Sequence, residues 1–209
     1  MFDMDSPWKI VALVAGVVVL RLAYTVWKQA PARVFMVELF DSALIAFALV
    51  FFIVRPFIVQ AFYIPSESMV PTLVPRDRIL VNKFVYHLSP VRRGDVVVFQ
   101  PPDNATSGHD AKDFIKRVVG LPGDSVEVRK YDGVYINDHR LREPYITQED
   151  QIPRADYGPT TVPRGKVLVF GDNRNNSNDS RSWGFLPIQR IAGKAMVIFW
   201  PIYRVGLLR

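Results

Sequence analysis

The sequence predicts a mainly β protein, in which two N-terminal transmembrane helices precede an extracytoplasmic all-β domain with a small hairpin insertion. Three observations lead to this prediction. Hydrophobic residues make up 49% of the 209 residues, and the excess is concentrated in the first third of the chain. Beyond residue 75, short runs rich in Val, Ile and Phe are separated by Gly, Pro and Asp, which is typical of strands. No long stretch in that region has helical periodicity.

The first apolar segment predicts a transmembrane helix. Residues 10–20 are apolar or Gly, and the apolar pattern resumes after Arg21. Trp8 and Trp27 lie near the two ends as interfacial anchors, and the segment is long enough to span a bilayer. A cleaved secretory signal is the alternative. The first residues include two aspartates in place of a basic region, which favours a retained helix.

A second span is predicted over residues 39–62, of which residues 42–54 carry no charge. The basic residues Arg21, Lys28 and Arg33 lie between the two apolar segments. Because cytoplasmic loops are enriched in basic residues, we expect this connection in the cytoplasm and everything after the second span outside. Two helices buried in a protein core are the alternative to two spans.

The remaining chain is predicted to form strands joined by turns. The predicted strands are residues 79–81, 95–99, 114–119, 125–128, 134–136, 167–170 and 194–200. Asp132-Gly133 and Asn137-Asp138 are hairpin-type turns. Residues 143–163 contain four prolines and predict an exposed, irregular excursion. The predicted domains are residues 1–38 for the first helix and its connection, 39–62 for the second helix, and 63–209 for the β domain, with a small accessory region at 125–166.

Composition excludes several classes of site. The formal net charge of +6 suits nucleic acid or an anionic membrane surface, but there is no basic run of five residues, which argues against a nucleic-acid tail. The chain has no cysteine, which excludes disulfides, thiolate catalysis and cysteine-ligated zinc.

Residues 64–73 (IPSESMVPTL) display two serine hydroxyls on a stiff, non-helical backbone. Pro65 and Pro71 each lack an N–H donor and fix φ, so the segment is extended or turned. A serine held on such a segment, directly after an apolar run, is a candidate nucleophile. Most serines in such turns are ordinary surface residues, so the interpretation depends on the rest of the chain.

A serine nucleophile needs a base, which is usually a histidine supported by an acid. His87, His109 and His139 have no distinctive neighbours and no metal-ligand spacing, so we expect them to be solvated. The alternative base is a lysine kept neutral by burial, because desolvation lowers the pKa of an ammonium group. Lys116 lies in a strand-like apolar run and is the candidate for this role.

Four segments resemble, in order, the sequence boxes of the bacterial type I signal peptidases, also called leader peptidases. Residues 64–73 resemble the serine box, 94–99 (GDVVVF) the Gly-Asp strand, 116–124 (KRVVGLPGD) the lysine box and 171–184 (GDNRNNSNDSRSWG) the last box. The resemblance implies a membrane-bound serine endopeptidase that removes N-terminal signal peptides from exported preproteins. It also implies a multi-pass protein of the bacterial cytoplasmic membrane whose catalytic domain lies on the extracytoplasmic side.

The resemblance implies a role for each matching residue. Ser68 is the nucleophile and Lys116 its general base, while the Ser66 hydroxyl and the Ser68 backbone N–H form the oxyanion hole. Ser177 orients the lysine through a hydrogen bond. A supporting ion pair is implied between Asp179 and Arg181. The implied substrate-binding positions are Ile64, Pro65, Met69, Leu73, Asp113, Phe114 and Ile115.

The implied partners are signal peptides with small residues before the cleavage site and membrane phospholipid, with no nucleic acid, metal or other cofactor. The segments around residues 62–66 and 113–115 are expected to hold the substrate as an added β-strand. The last box has Asn175 where Asp is common, which leaves its local charge balance open. The alternatives are a Ser/Lys peptidase that processes itself or one partner, and a non-catalytic membrane module that binds signal peptides. The sequence leaves open the oligomeric state and the particular preproteins.

Overall fold

The computed structural model describes residues 16, 19, 33–50, 59–105, 113–149 and 151–208. The chain divides into two compact units, Met1–Phe57 and Ile58–Arg209. The boundary predicted from the sequence lies five residues later, at the end of the second predicted span.

The first unit contains helix α1, Arg33–Leu49, which is 17 residues long. It begins six residues before the predicted second span. No helix among the described residues is long and apolar enough to cross a membrane. The predicted first span lies outside the described residues except for Gly16 and Val19, and residues 51–58 of the predicted second span also lie outside them.

The second unit is mainly β, with twelve described strands in two antiparallel sheets. The larger sheet has the order β1-β2-β11-β3-β4-β9-β10, and β12 pairs with β11. Its strands are β1 Val59–Tyr63, β2 Arg78–Asn82, β3 Val96–Phe99, β4 Phe114–Gly120, β9 Lys166–Phe170, β10 Leu186–Pro187, β11 Ile191–Trp200 and β12 Gly206–Leu207.

The smaller sheet occupies the predicted accessory region and has the order β7-β6-β5-β8. Its strands are β5 Ser125–Arg129, β6 Gly133–Ile136, β7 His139–Arg140 and β8 Tyr157–Thr161. The predicted Asn137-Asp138 turn joins β6 to β7, and both residues have a positive φ, of 50° and 66°. Short helical segments complete the fold: α2 Val85–Leu88, α3 Ser180–Trp183, and 3-10 turns at Asp103–Ala105, Ile188–Arg190 and Ile202–Arg204.

Strand β1 corrects the predicted end of the second span. Residues 59–62 were assigned to that helix, but Val59–Tyr63 pairs with β2 over five residues, from Val59 opposite Asn82 to Tyr63 opposite Arg78. Pro56 lies inside the predicted span and lacks the N–H that a continuing helix needs. Residues Val59–Tyr63 instead satisfy their backbone groups in a sheet.

Strand β4 is the central element of the fold, because it pairs with β3 on one side and β9 on the other. All its residues after Phe114 are buried. Ile115 belongs to an apolar cluster with Ile64, Met69 and Leu73. Val118 packs in a second cluster with Val97 and Phe99, and Val119 in a third that includes the smaller sheet. Strand β4 therefore crosses the interior where the apolar clusters meet.

Close packing between β11 and β2 generates a stability prediction. A Cβ added at Gly193 would lie 2.5 Å from the Asn82 carbonyl oxygen and 2.8 Å from Val81 Cγ1. Both neighbours belong to a paired strand that cannot easily move. We expect Gly193→Ala to lower the free energy of unfolding of the full-length protein by about 1–3 kcal/mol, measured by urea denaturation. Gly206→Ala is the matched control, since its nearest neighbour lies 3.8 Å away; an equal loss in both variants would contradict the packing argument.

Candidate active site

The Ser68 hydroxyl is presented by a rigid turn that follows β1. The Ile64 N–H donates to the Asp77 carbonyl and the Arg76 N–H to the Ile64 carbonyl, each at 2.9 Å, so the strand continues through Ile64. Inside the turn, the Leu73 N–H donates to the Met69 carbonyl at 2.9 Å. Ser68 itself is 9% exposed. The two predicted features of this segment, a non-helical backbone and a held hydroxyl, are both present.

Lys116 lies on β4 opposite Val97 and is 4% exposed. Its Nζ donates to Ser68 Oγ at 2.7 Å, across a sequence separation of 48 residues. A second hydrogen bond runs from Nζ to the Ile115 carbonyl at 3.0 Å. The Phe114 ring lies 5.5 Å from the amine. The fold therefore brings the two predicted catalytic side chains into direct contact in an apolar setting.

Burial lowers the pKa of Lys116 to about 8, against a weaker opposing effect of Asp179 and Asp172. The acids nearest in sequence do not pair with the amine. Asp124 pairs with Arg93 at 3.0 Å. Asp113 lies at the surface, where partial desolvation raises its pKa against an opposing effect of Lys83. A lysine with a pKa near 8 is partly neutral at a mildly alkaline pH, so it can accept a proton.

Ser66 Oγ lies 3.3 Å from Ser68 Oγ on the exposed side of the turn. This distance is longer than an ordinary O–H···O hydrogen bond. The Ser66 hydroxyl is thus beside the nucleophile without being committed to it, and it is available to an oxygen that develops charge during a reaction.

The hydrogen bond predicted between Ser177 and Lys116 is absent. The Ser177 Oγ is buried and makes no hydrogen bond within the described part of the chain. It lies instead against Gly171, where an added Cβ would overlap both Ser177 Oγ and the Ser68 carbonyl oxygen. The lysine amine bonds Ser68 Oγ and the Ile115 carbonyl instead, and the role of Ser177 in orienting it stays a prediction.

Asp179 and Arg181 form the expected ion pair. Arg181 Nε donates to Asp179 Oδ1 at 2.8 Å, and Arg181 Nη2 donates to Oδ2 at 2.7 Å. The Asp179 carboxylate is fully buried and also accepts from the Gly171 N–H at 3.0 Å. The pair therefore anchors the segment that packs against Ser177 and the Ser68 carbonyl.

The predicted pocket residues are packed in the core. Met69 and Leu73 are fully buried, and Ile64 and Ile115 are 2% and 8% exposed. They form one apolar cluster behind the serine turn, so in this structure they offer almost no surface to a peptide. Of the other predicted positions, Pro65 and Asp113 are exposed and Phe114 is half-buried.

Two segments beside the dyad keep an open backbone edge among the described strands. Strand β1 pairs only with β2 and lies at one end of the larger sheet. Strand β4 pairs with β9 from Arg117 onward, so Phe114–Lys116 lacks a partner on that side. These are the two segments that the sequence predicted for substrate binding.

Sequence reasoning missed a buried ion pair directly behind the site. Arg117 follows the candidate base, and its Nη2 donates to Asp172 Oδ2 at 2.7 Å. The two side chains are 1% and 0% exposed. Thr72, in the serine turn, donates its hydroxyl to the same oxygen at 2.5 Å. An arginine inside an apolar strand was the available signal, although nothing in the sequence names its partner.

The two described histidines make their contacts with residues outside this arrangement. His87 is exposed and stacks on Phe84, and His139 is exposed with its Nδ1 near the Asn137 carbonyl. His109 lies outside the described residues. A serine hydroxyl bonded to a buried lysine on a β scaffold defines a class, the serine hydrolases in which lysine replaces histidine as the base.

Comparisons with known proteins identify the family. The family model for signal peptidase, peptidase S26, matches residues 36–200. A probable signal peptidase I-2 from Synechocystis sp. is 50% identical over 157 residues, which cover 74% of this chain and 69% of the relative. Signal peptidase I P from Bacillus subtilis subsp. natto is 36% identical over 178 residues, which cover 81% and 92%.

A crystal structure of a signal peptidase I from Enterococcus faecalis V583 is 30% identical, with a TM-score of 0.42, and covers 51% of this chain and 97% of that one. On the family model and the curated relatives, the chain belongs to the peptidase S26 family of signal peptidases. Members of this family are serine endopeptidases that remove signal peptides from preproteins.

The lowered pKa of Lys116 predicts a pH-dependent stability difference. Since the pKa is about 8 in the folded state and 10.5 in the unfolded state, protonation costs folding free energy. The cost is complete below pH 8 and disappears above pH 10.5, so this contribution to stability rises with pH between those values. We expect Lys116→Met to be more stable than wild type at pH 7, by up to about 3 kcal/mol. The advantage of the variant should shrink by pH 10. The same stability difference between variant and wild type at both pH values would contradict a buried, destabilised ammonium.

Proposed function

We propose that this chain cleaves signal peptides from exported preproteins with Ser68 as the nucleophile and Lys116 as the general base. The observation that carries the proposal is the 2.7 Å hydrogen bond between a buried lysine amine and the serine hydroxyl. Burial gives the amine a pKa of about 8, which matches a base that must be neutral when substrate binds.

The proposed reaction has two stages and uses only side chains and water. Lys116 takes the Ser68 proton while Ser68 Oγ attacks the scissile carbonyl carbon, and the new oxyanion is stabilised by the Ser66 hydroxyl and the Ser68 backbone N–H. The lysine then donates its proton to the leaving amine. A water activated by the same lysine hydrolyses the acyl-enzyme, which frees Ser68 for another cycle.

We propose that the preprotein adds as a strand between the two open backbone edges, around residues 62–66 and 113–115. Main-chain hydrogen bonds of this kind hold an extended peptide and leave selectivity to side-chain pockets. The cluster of Ile64, Met69, Leu73 and Ile115 is packed close behind the serine turn. A closely packed cluster with so little exposed surface can form at most a shallow floor for a bound side chain, which supports small residues immediately before the cleavage site.

We further propose that the β unit faces the extracytoplasmic surface of the cytoplasmic membrane, anchored by the two apolar N-terminal segments. The basic residues between these segments support that orientation. The carboxyl-terminal part of the chain exposes a series of large hydrophobic side chains, which suits contact with phospholipid. They are Trp200, Ile202, Tyr203, Val205 and Leu207. Register places Trp200 opposite Arg78, which is in turn opposite the exposed Tyr63.

The dyad is tested by cleavage of a synthetic preprotein with purified full-length protein in detergent. Ser68→Ala should abolish cleavage. Lys116→Arg should be equally inactive although it keeps the positive charge, because guanidinium stays protonated. The kcat/KM of the wild type should rise with pH along a limb centred near 8, the pKa of the lysine amine. His87→Ala and His139→Ala are the controls, and loss of the limb in either variant, or activity in Lys116→Arg, would exclude Lys116 as the base.

Ser66 generates a separate kinetic prediction. Its hydroxyl lies 3.3 Å from Ser68 Oγ and is expected to bond the oxyanion more strongly than the ground-state carbonyl. Removing one oxyanion donor costs about 10²–10³ in kcat, so Ser66→Ala should be slow yet measurable, with little change in KM. Ser66→Thr retains a hydroxyl and is the matched control. Wild-type kcat in Ser66→Ala would remove Ser66 from the oxyanion hole.

A further inference from the structure

The segment that leaves the smaller sheet begins buried against the last sequence box, although most of the described residues of 143–163 are exposed, as predicted. Glu143 is 6% exposed and Arg174 is 3% exposed. Arg174 Nη1 donates to Glu143 Oε2 at 2.6 Å, and Arg174 Nη2 donates to Glu143 Oε1. The Tyr145 hydroxyl donates to the same carboxylate at 2.8 Å. The excursion therefore begins with a carboxylate whose oxygens are both occupied inside the protein.

The same segment also covers the ion pair behind the dyad. The Tyr145 ring lies 3.9 Å from the guanidinium carbon of Arg117, in a cation–π contact. The Tyr145 carbonyl lies 3.4 Å from Thr72 Oγ1. Residues 143–145 thus contact two arginines that hold the last box in place. Arg174, within the box, is bound through a carboxylate, and Arg117, on β4, through an aromatic face.

Those arginines hold the loop that supports the nucleophile. Arg174 Nε donates to the Gly171 carbonyl at 3.0 Å, and Arg117 binds the Asp172 carboxylate. The next residue, Asn173, donates its N–H to the Ser68 carbonyl at 3.1 Å and its side-chain amide to the Glu67 carbonyl at 3.2 Å. A continuous series of contacts therefore joins the smaller sheet to the backbone of the serine turn.

We propose that Glu143, assisted by Tyr145, is a positioning residue that fixes Ser68 for attack by clamping residues 171–174 against the serine turn. Without the carboxylate, Arg174 is a buried charge with no counter-ion, and it can recover solvation only by drawing the loop outward. Asn173 then loses its bonds to the Glu67 and Ser68 carbonyls. A displacement of about 1 Å at a reacting group costs on the order of 10²-fold in rate, so the effect reaches the chemistry.

The test measures preprotein cleavage by the full-length protein and rests on the proposed function of Ser68. Glu143→Gln keeps the shape and removes the charge. We expect its kcat to fall by about 10- to 100-fold with KM changed by less than about twofold, because the loss is one of transition-state alignment. Tyr145→Phe loses one hydrogen bond to Glu143 and keeps the ring over Arg117, so its kcat should lie between those of wild type and Glu143→Gln.

Val128→Ala separates positioning from general destabilisation. Val128 is buried in the smaller sheet and belongs to its apolar cluster, and its side chain has no polar group that could join the ion pairs described above. The Val128→Ala variant should have a lower Tm than wild type. Its kcat should stay within about twofold of wild type at a temperature where every variant is folded.

The inference is overturned if Glu143→Gln keeps wild-type kcat, or if Val128→Ala loses as much kcat as Glu143→Gln. If Glu143→Gln fails to fold, a wild-type kcat in Tyr145→Phe overturns the inference instead. Ser68→Ala is run in parallel, so the two proposals fail separately. Residual cleavage by Ser68→Ala would contradict the assignment of Ser68 as the nucleophile. An inactive Ser68→Ala together with a fully active Glu143→Gln would contradict only the positioning role of Glu143.

Discussion

The site depends on keeping one lysine amine out of water without giving it a carboxylate partner. Lys116 is nearly fully buried, and desolvation is the largest influence on its pKa. Asp179 and Asp172 act in the opposite direction. Each of these carboxylates has its own arginine, Arg181 for Asp179 and Arg117 for Asp172. A neutralised pair attracts a nearby cation far less than a free carboxylate does, so desolvation prevails and the base remains within reach of neutrality.

Strand β4 meets these conditions because it is buried along nearly its whole length, pairs with β3 over Phe114–Arg117 and pairs with β9 from Arg117 onward. Successive residues of a strand point to opposite faces, so the base and the arginine that follows it diverge from adjacent positions. Lys116 reaches the Ser68 hydroxyl, and Arg117 reaches Asp172 in the last box. One strand therefore supplies both the base and the counter-ion that protects the base from a nearby acid.

The parts of the fold that were predictable are those with an unambiguous local pattern. The Val- and Ile-rich runs identified the seven strands β2–β6, β9 and β11. Strand β1 was missed because an apolar edge strand and the end of a membrane helix have the same composition. Strand β8 was missed because its sequence, YGPTT, contains the Gly and Pro that indicate loops. Its pairing with β5 is a tertiary effect that local propensity does not encode.

The same distinction holds for the site. Ser68 and Lys116 were identified through motifs, and their contact follows the expected chemistry. The hydrogen bond expected from Ser177 is not seen, because a hydroxyl within a tight loop has several neighbours and the motif does not state which one it meets. The pair of Glu143 and Arg174 was invisible, since its members are 31 residues apart and each looks like an ordinary charge in a turn. Buried ion pairs are recognisable only when burial is known, and burial here follows from the tertiary fold.

The insertion is consequently part of the site's framework and not an appendage to it. A Cβ at Gly120, at the end of β4, would lie 2.8 Å from Val126 and 2.9 Å from Val162, so the smaller sheet contacts the strand backbone itself. Val119 packs in the same apolar cluster, three residues beyond the base. Apolar packing thus supports β4 from one direction, while the ion pair of Glu143 supports the last box from another. Since an apolar contact is tolerant of small shifts and a bidentate ion pair is not, packing fixes where the strand lies and the ion pair fixes the orientation of the loop that contacts Ser68.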